Sequence, residues 1–178
     1  TNNYNLLNSY GYMGKYQVGR DIMKDLNWYS SRMGYIGEAR EKWGIQSRKN
    51  FLGNPAAQDD LIMKSMVKRW DYLDAYLKKH TKKGIMDYVC KEITVHLHAV
   101  YTDTSGKSKD GEALLRVLKN GKNKKLGNPK GKKFLITISG LLAGSHLTGQ
   151  GGMGIFLSSG GRKIPTDGNG TMVLVYME

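Results

Sequence analysis

Cysteine is almost absent from this chain: Cys90 is the only one among 178 residues. A single thiol excludes an internal disulfide framework and a cysteine-rich zinc site, and its expected place is inside a core as a small apolar side chain. Long hydrophobic runs are also missing. No window approaches the roughly 18 consecutive apolar residues that a membrane-spanning helix needs. The first residues, TNNYN, do not show the charged, apolar and small-residue order of an export signal. Acidic residues are scarce, 15 against 28 Lys and Arg, which leaves a net charge of +13. A field of that sign draws a protein toward polyanions such as nucleic acid, acidic headgroups or an anionic cell wall.

Several chemistries lack their residues. There is no GxSxG and no HExxH, and nothing orders His96, His98 or His146 into a nucleophile–base pair with Cys90. His96 and His98 share a face but lack a third ligand at useful spacing, so no metal is expected. GQGGMG at 149–154 has glycines, but neither the order nor the preceding strand of a dinucleotide fingerprint. No cofactor is expected. The basic stretch carries no interleaved aromatics, and no nucleic-acid-binding motif occurs, so nucleic acid is not an expected partner.

The elements present point to a mainly α chain of one domain. A helix is expected near 20–28, with Ile22, Met23 and Leu26 on one face. Residues 29–53 look irregular, with one short helical turn. The clearest helix follows, with Asn54 as N-cap, Pro55 at the first position, Ile62, Met66, Trp70, Leu73 and Leu77 as a stripe, and Lys78, Lys79 and His80 at the end. A short helix is expected over 85–89, and the alternation of Ile93, Val95, Leu97 and Ala99 predicts one strand. From 105 to 133, ten basic residues face two acidic ones, which predicts a basic loop around a short helix (EALLRVLK). FLITISGLLAGSHL then reads as one buried helix. A glycine-rich turn leads from it into another short helix, followed by a turn and a closing segment.

Residues 10–17, YGYMGKYQ, mix rings, glycines and an amide in a way that suits a polymer-binding surface better than a core. Aromatic faces bind the C–H surfaces of sugars, and amides and hydroxyls bind their hydroxyl groups. Tyr10, Tyr12, Tyr16 and Gln17, with His146 and Gln150 near the other end, are of the right types.

Three stretches together carry a family likeness: YGYMGKYQVG, FLGNPAAQDD, and SGLLAGSHLTGQGGMGIFLSSGG followed by DGNGTMVLVYM. The chain resembles the lysozyme-like peptidoglycan hydrolases, which include goose-type lysozymes, lytic transglycosylases and the muramidase modules of bacterial secretion effectors and phage-tail proteins. The resemblance implies a lysozyme-like fold with a long central helix and a short β element. It also implies cleavage of the β-1,4 bond between N-acetylmuramic acid and N-acetylglucosamine. Gly14, Tyr16 and Gln17 would lie beside the scissile bond, and His146, Gly149, Gln150 and Gly151 would form an opposite wall. Tyr176 resembles the tyrosine that steadies the family's catalytic acid.

That acid is a Glu, usually followed by Ser, ahead of the glycine turn. Nothing acidic lies between Thr1 and Gln17, and TNNYN resembles the residues that follow the pair, so the acid is expected just upstream of Thr1. The chain would then be the C-terminal part of a longer protein, with 105–133 as a basic insertion. Asp21 and Glu38 are the candidates for a second carboxylate, whose position distinguishes inverting from retaining chemistry. The resemblance further implies action in a bacterial periplasm or outer cell wall, delivery by secretion or a phage-like apparatus, and an immunity or inhibitor protein as a partner. The alternative is a non-catalytic module that binds cell wall or another polyanion.

Overall fold

The computed structural model describes residues 3–96, 99–102, 108–110, 129–167 and 170–177. The chain is mainly α and divides into two compact units, Thr1–Lys68 and Arg69–Glu178. The boundary falls inside the longest helix, α4 (Pro55–Thr81).

Unit 1 begins with a non-helical loop tied by isolated bridges between Leu7 and Met13 and between Met13 and Val18. Next come α1 (Arg20–Asp25), a two-residue hairpin of β1 (Tyr29–Ser30) and β2 (Gly34–Tyr35), α2 (Glu38–Glu41) and α3 (Arg48–Leu52). Residues 29–53 are therefore more regular than their glycines suggested: a hairpin and two short helices replace the single turn expected. Local capping explains part of this, because Ser47 Oγ accepts from Asn50 N at 3.2 Å and starts α3. The buried core joins Met13, Val18, Met23, Trp28, Phe51 and Leu61 with smaller residues around them. Asn54 caps α4 as its position predicts, accepting from Ala57 N at 3.0 Å.

Unit 2 opens with the second half of α4, whose Leu73 and Leu77 are buried while Trp70 is partly so. A 3-10 turn (Ile85–Asp87) replaces the helix expected over 85–89. Cys90 is exposed, which corrects the buried thiol expected. It stands at φ +61° in the bend between that turn and β3, where its N–H donates to Ile136 O at 2.9 Å.

The single strand expected over 93–99 is two strands in different sheets, β3 (Glu92–Thr94) and β4 (Ala99–Thr102). The alternation holds for Ile93 and Val95, both buried. After Val95 the backbone turns to other partners, His96 N bonding Gly161 O at 2.8 Å. His96 is exposed, and His98 lies outside the described residues. β4 pairs antiparallel with β5 (Ser108–Asp110) and parallel with β7 (Lys163–Thr166). The EALLRVLK helix also lies outside the described residues.

FLITISGLLAGSHL is not one helix. Its start forms β6 (Lys133–Leu135), which pairs antiparallel with β3 and sets Phe134 opposite Ile93. Thr137 then caps α5 (Ile138–Ser158), its Oγ1 accepting from Gly140 N at 3.0 Å. The glycine-rich turn expected near 149–154 shrinks to one residue: Gly149, at φ 73° and ψ 165°, interrupts an otherwise continuous α5. Only glycine takes that conformation without strain. The chain ends in a 3-10 turn (Val173–Tyr176), with Met172, Val173 and Leu174 buried in the core of unit 2. No described helix is long and apolar enough to cross a membrane.

Candidate functional site

The sequence candidates fall into two groups, one in each unit. In unit 1 the N-terminal loop is built around two amide side chains. Asn8 Oδ1 accepts from both Tyr10 N (3.0 Å) and Tyr12 N (2.9 Å), which folds the tip so that both tyrosine side chains are exposed. Gln58, fully buried on α4, anchors the base of the loop. Its Nε2 donates to the carbonyls of Tyr4 and Phe51 at 3.0 Å and of Leu52 at 3.2 Å, and its Oε1 accepts from Lys15 N at 3.2 Å.

Gly14 sits at φ +73° directly against that amide, and a Cβ there would lie 1.9 Å from Gln58 Oε1. Its missing side chain is thus a packing requirement inside unit 1. Tyr16 and Gln17 are also engaged locally. Gln17 Nε2 donates to Gly14 O at 2.9 Å. Tyr16 donates its hydroxyl to Asp59 at 2.8 Å, as Tyr4 does at 2.9 Å, and Lys15 Nζ lies about equally close to both rings. The Asp59 bond, with burial second, raises the pKa of the Tyr16 phenol above its ordinary value.

Three candidates do come together. Tyr10, Tyr12 and Asp21 line one open pocket of about 470 Å³, along with Gly11, Arg20 and Arg48. That volume lies in the range of small-molecule sites. The Asp21 side chain is fully exposed and 3.8 Å from Lys24 Nζ. Glu38 is elsewhere, in a balanced quartet of two carboxylates and two ammonium groups. Lys64 bonds Glu38 and, at 2.9 Å, Asp60; Lys42 reaches Asp60 at 3.2 Å and Glu38 at 3.4 Å; Trp43 Nε1 donates to Asp60 at 3.1 Å. The Lys64 bond holds the Glu38 carboxyl below its usual range, so Glu38 is a carboxylate, suited to electrostatic work and unsuited to donating a proton. Asp60 is also lowered: burial pushes it up, and the bonds from Lys64, Trp43 and Lys42 outweigh that.

In unit 2, α5 carries His146, Gly149, Gln150 and Gly151, all partly exposed around the Gly149 break. The preceding residue is held inward: Ser145 is buried, and its carbonyl accepts from Arg69 Nη1 at 2.8 Å. Tyr176 donates to Asp167 Oδ2 at 2.7 Å, while Asp167 Oδ1 accepts from Thr171 N at 2.8 Å. Burial first, and the Asp167 bond second among the raising causes, push the Tyr176 phenol up to about 12. Asp167, only 8% exposed, is a residue sequence reasoning missed. The signal was available in DGNGT, an Asp followed by turn-forming glycines, where a side chain bonding its own loop is common. Arg20 and Arg48 were also missed, and no local pattern marks them. Among the described residues no three His, Cys, Asp or Glu side chains come together to hold a metal ion.

No protein-family model matches the chain, and no curated protein or solved structure matches it.

Proposed function

We propose that the chain is the lysozyme-like part of an enzyme that cuts peptidoglycan strands between N-acetylmuramic acid and N-acetylglucosamine, as a muramidase or lytic transglycosylase. The observation that carries the proposal is the pocket of unit 1, where the exposed rings of Tyr10 and Tyr12 stand beside Arg20, Asp21 and Arg48. Rings supply faces for sugar C–H surfaces, and the charged groups around them bind hydroxyls and carboxylates.

Glycoside cleavage needs a proton donor to the leaving oxygen, usually a carboxylic acid of raised pKa. Glu38, Asp60 and Asp74 are instead all shifted downward. The proposed donor is a Glu ahead of Thr1. The net charge of +13 would hold the enzyme on an anionic wall in the periplasm or outside the cell, more weakly as salt rises.

The same charge favours one second reading, a wall-binding module without chemistry. Purified sacculi separate the two. They are incubated with protein carrying Glu-Ser directly before Thr1, with its Gln-Ser counterpart, and with the chain from Thr1. Release of soluble muropeptides by the Glu form alone is the expected result. Binding by all three without release would leave only the module. The masses of released products distinguish hydrolysis from 1,6-anhydro ends.

A further inference from the structure

The pocket of unit 1 has a charge pattern that a neutral sugar would not use. Arg20 opens α1 and Arg48 opens α3, and both line the pocket with Tyr10 and Tyr12. Among the described residues neither guanidinium is paired with a carboxylate. Asp21 is the one acidic lining residue, and it leans toward Lys24. The positions are set by the fold. Arg20 packs over the Tyr29 ring at 5.2 Å. Gly19 leaves room for Tyr12, since a Cβ there would lie 2.9 Å from the ring. Asn8 fixes the tip between Tyr10 and Tyr12 from below. Both guanidinium charges also act on the Tyr35 hydroxyl, opposing the burial that raises it.

We propose that this pocket seats a sugar bearing a carboxylate on a side arm, the ring lying on Tyr10 and Tyr12 and the carboxylate taken by Arg20 and Arg48. The inference rests on the glycan reading above and adds which sugar of an alternating strand the pocket selects. In a peptidoglycan strand only the muramic residue has such an arm, its 3-O-lactyl group. The carboxylate is either that of the lactyl group itself or one on the peptide attached to it. Guanidinium suits both, because its planar fork meets carboxylate oxygens two at a time.

Titration of the isotope-labelled chain, followed by NMR at the amides of Gly11, Tyr12 and Gly19, distinguishes the cases. The probes are N-acetylglucosamine, N-acetylmuramic acid, and N-acetylmuramic acid carrying L-Ala-D-Glu. The acidic sugars should bind at least about tenfold more tightly than the neutral one, as charge-assisted hydrogen bonds predict. The tighter of the two identifies the carboxylate that is read. Arg20→Gln with Arg48→Gln should abolish the preference, and Arg→Lys at both positions should keep part of it. Tyr10→Ala should weaken all three probes.

Equal binding of the neutral and acidic sugars, or a preference that survives the double Gln variant, overturns the inference and leaves the glycan reading standing. If no probe gives saturable shifts at these amides, the inference also falls, and release from sacculi alone then decides the cleavage reading.

Discussion

Replacing Gly14 by alanine measures what the buried amide of Gln58 does for unit 1. The new methyl would stand 1.9 Å from Gln58 Oε1 and 2.6 Å from its Cδ, on a backbone at φ +73°. The left-handed conformation by itself costs an L-residue about 1–2 kcal/mol. The overlap cannot be relieved by a small swing of the side chain, because Gln58 is fully buried and bonded to the carbonyls of Tyr4, Phe51 and Leu52. Pushing the amide aside breaks those bonds and the one from Lys15 N. Each buried polar group left without a partner costs about 1–3 kcal/mol. With two such groups stranded, the middle of these ranges gives a loss of about 5.5 kcal/mol.

Gly11 is the control. Its φ is +84°, but nothing lies within 4 Å of where a Cβ would stand, so Gly11→Ala should lose only the backbone cost. Urea denaturation followed by tryptophan fluorescence gives both numbers. In a Gln58→Ala background the obstruction is gone, and the further cost of Gly14→Ala should shrink to that of Gly11→Ala. Equal losses for the two glycine variants in the native background would refute the reasoning.

Two predictions concern titration. Glu38 and Asp60 are held below their ordinary values of 4.5 and 3.8, so the folded state binds their protons more weakly than the unfolded chain. Their contribution is complete above those values and is lost as pH falls through the lower folded ones. Lys64→Met should therefore raise the midpoint of acid unfolding and lower neutral stability by about 0.5–1 kcal/mol, the size expected for partly exposed pairs; an unmoved acid midpoint counts against the quartet. Tyr176 has the opposite sign, raised from 10.0 to about 12. Its contribution is complete below pH 10 and fades as pH climbs toward 12. Tyr176→Phe should cost about 1.5–3 kcal/mol at neutral pH, by removing a hydrogen bond to a charged, buried carboxylate that keeps its bond from Thr171 N. It should also flatten the decline in urea midpoint between pH 10 and 12, and a slope equal to that of the unsubstituted chain would remove the role given to the pair.

What could be read in advance depended on how local the cause was. Asn54, Pro55 and the stripe through Leu73 and Leu77 specify α4 within a few turns, and the helix begins where they place it. The alternation from Ile93 to Ala99 is as good for two strands as for one, because a period of two says which side faces in and nothing about which strand is the partner. Phe134 sits in β6 because Ile93 lies opposite it, a pairing 41 positions away in sequence. Tyr10 and Tyr12 were legible as exposed rings by type and context. The residues around them were not, since Arg20 and Arg48 reach the pocket only once α1 and α3 are in place. Gly14 was legible as a glycine that matters, but the side chain filling its space belongs to a residue 44 positions away.

The Gln58 clasp has a consequence for the order in which unit 1 assembles. It joins α4 to Tyr4 and Lys15, 54 and 43 positions distant, and such contacts form only after a long stretch of chain has been closed. The N-terminal loop can hold its shape only once the first turns of α4 exist, so it should be among the last parts to fold and the first to open. The amide of Lys15, sealed against Gln58, is the natural reporter in hydrogen exchange and should exchange sooner than amides in the middle of α4. The pocket hangs on that loop. Modest losses of stability would therefore empty it while the helix beneath stays intact.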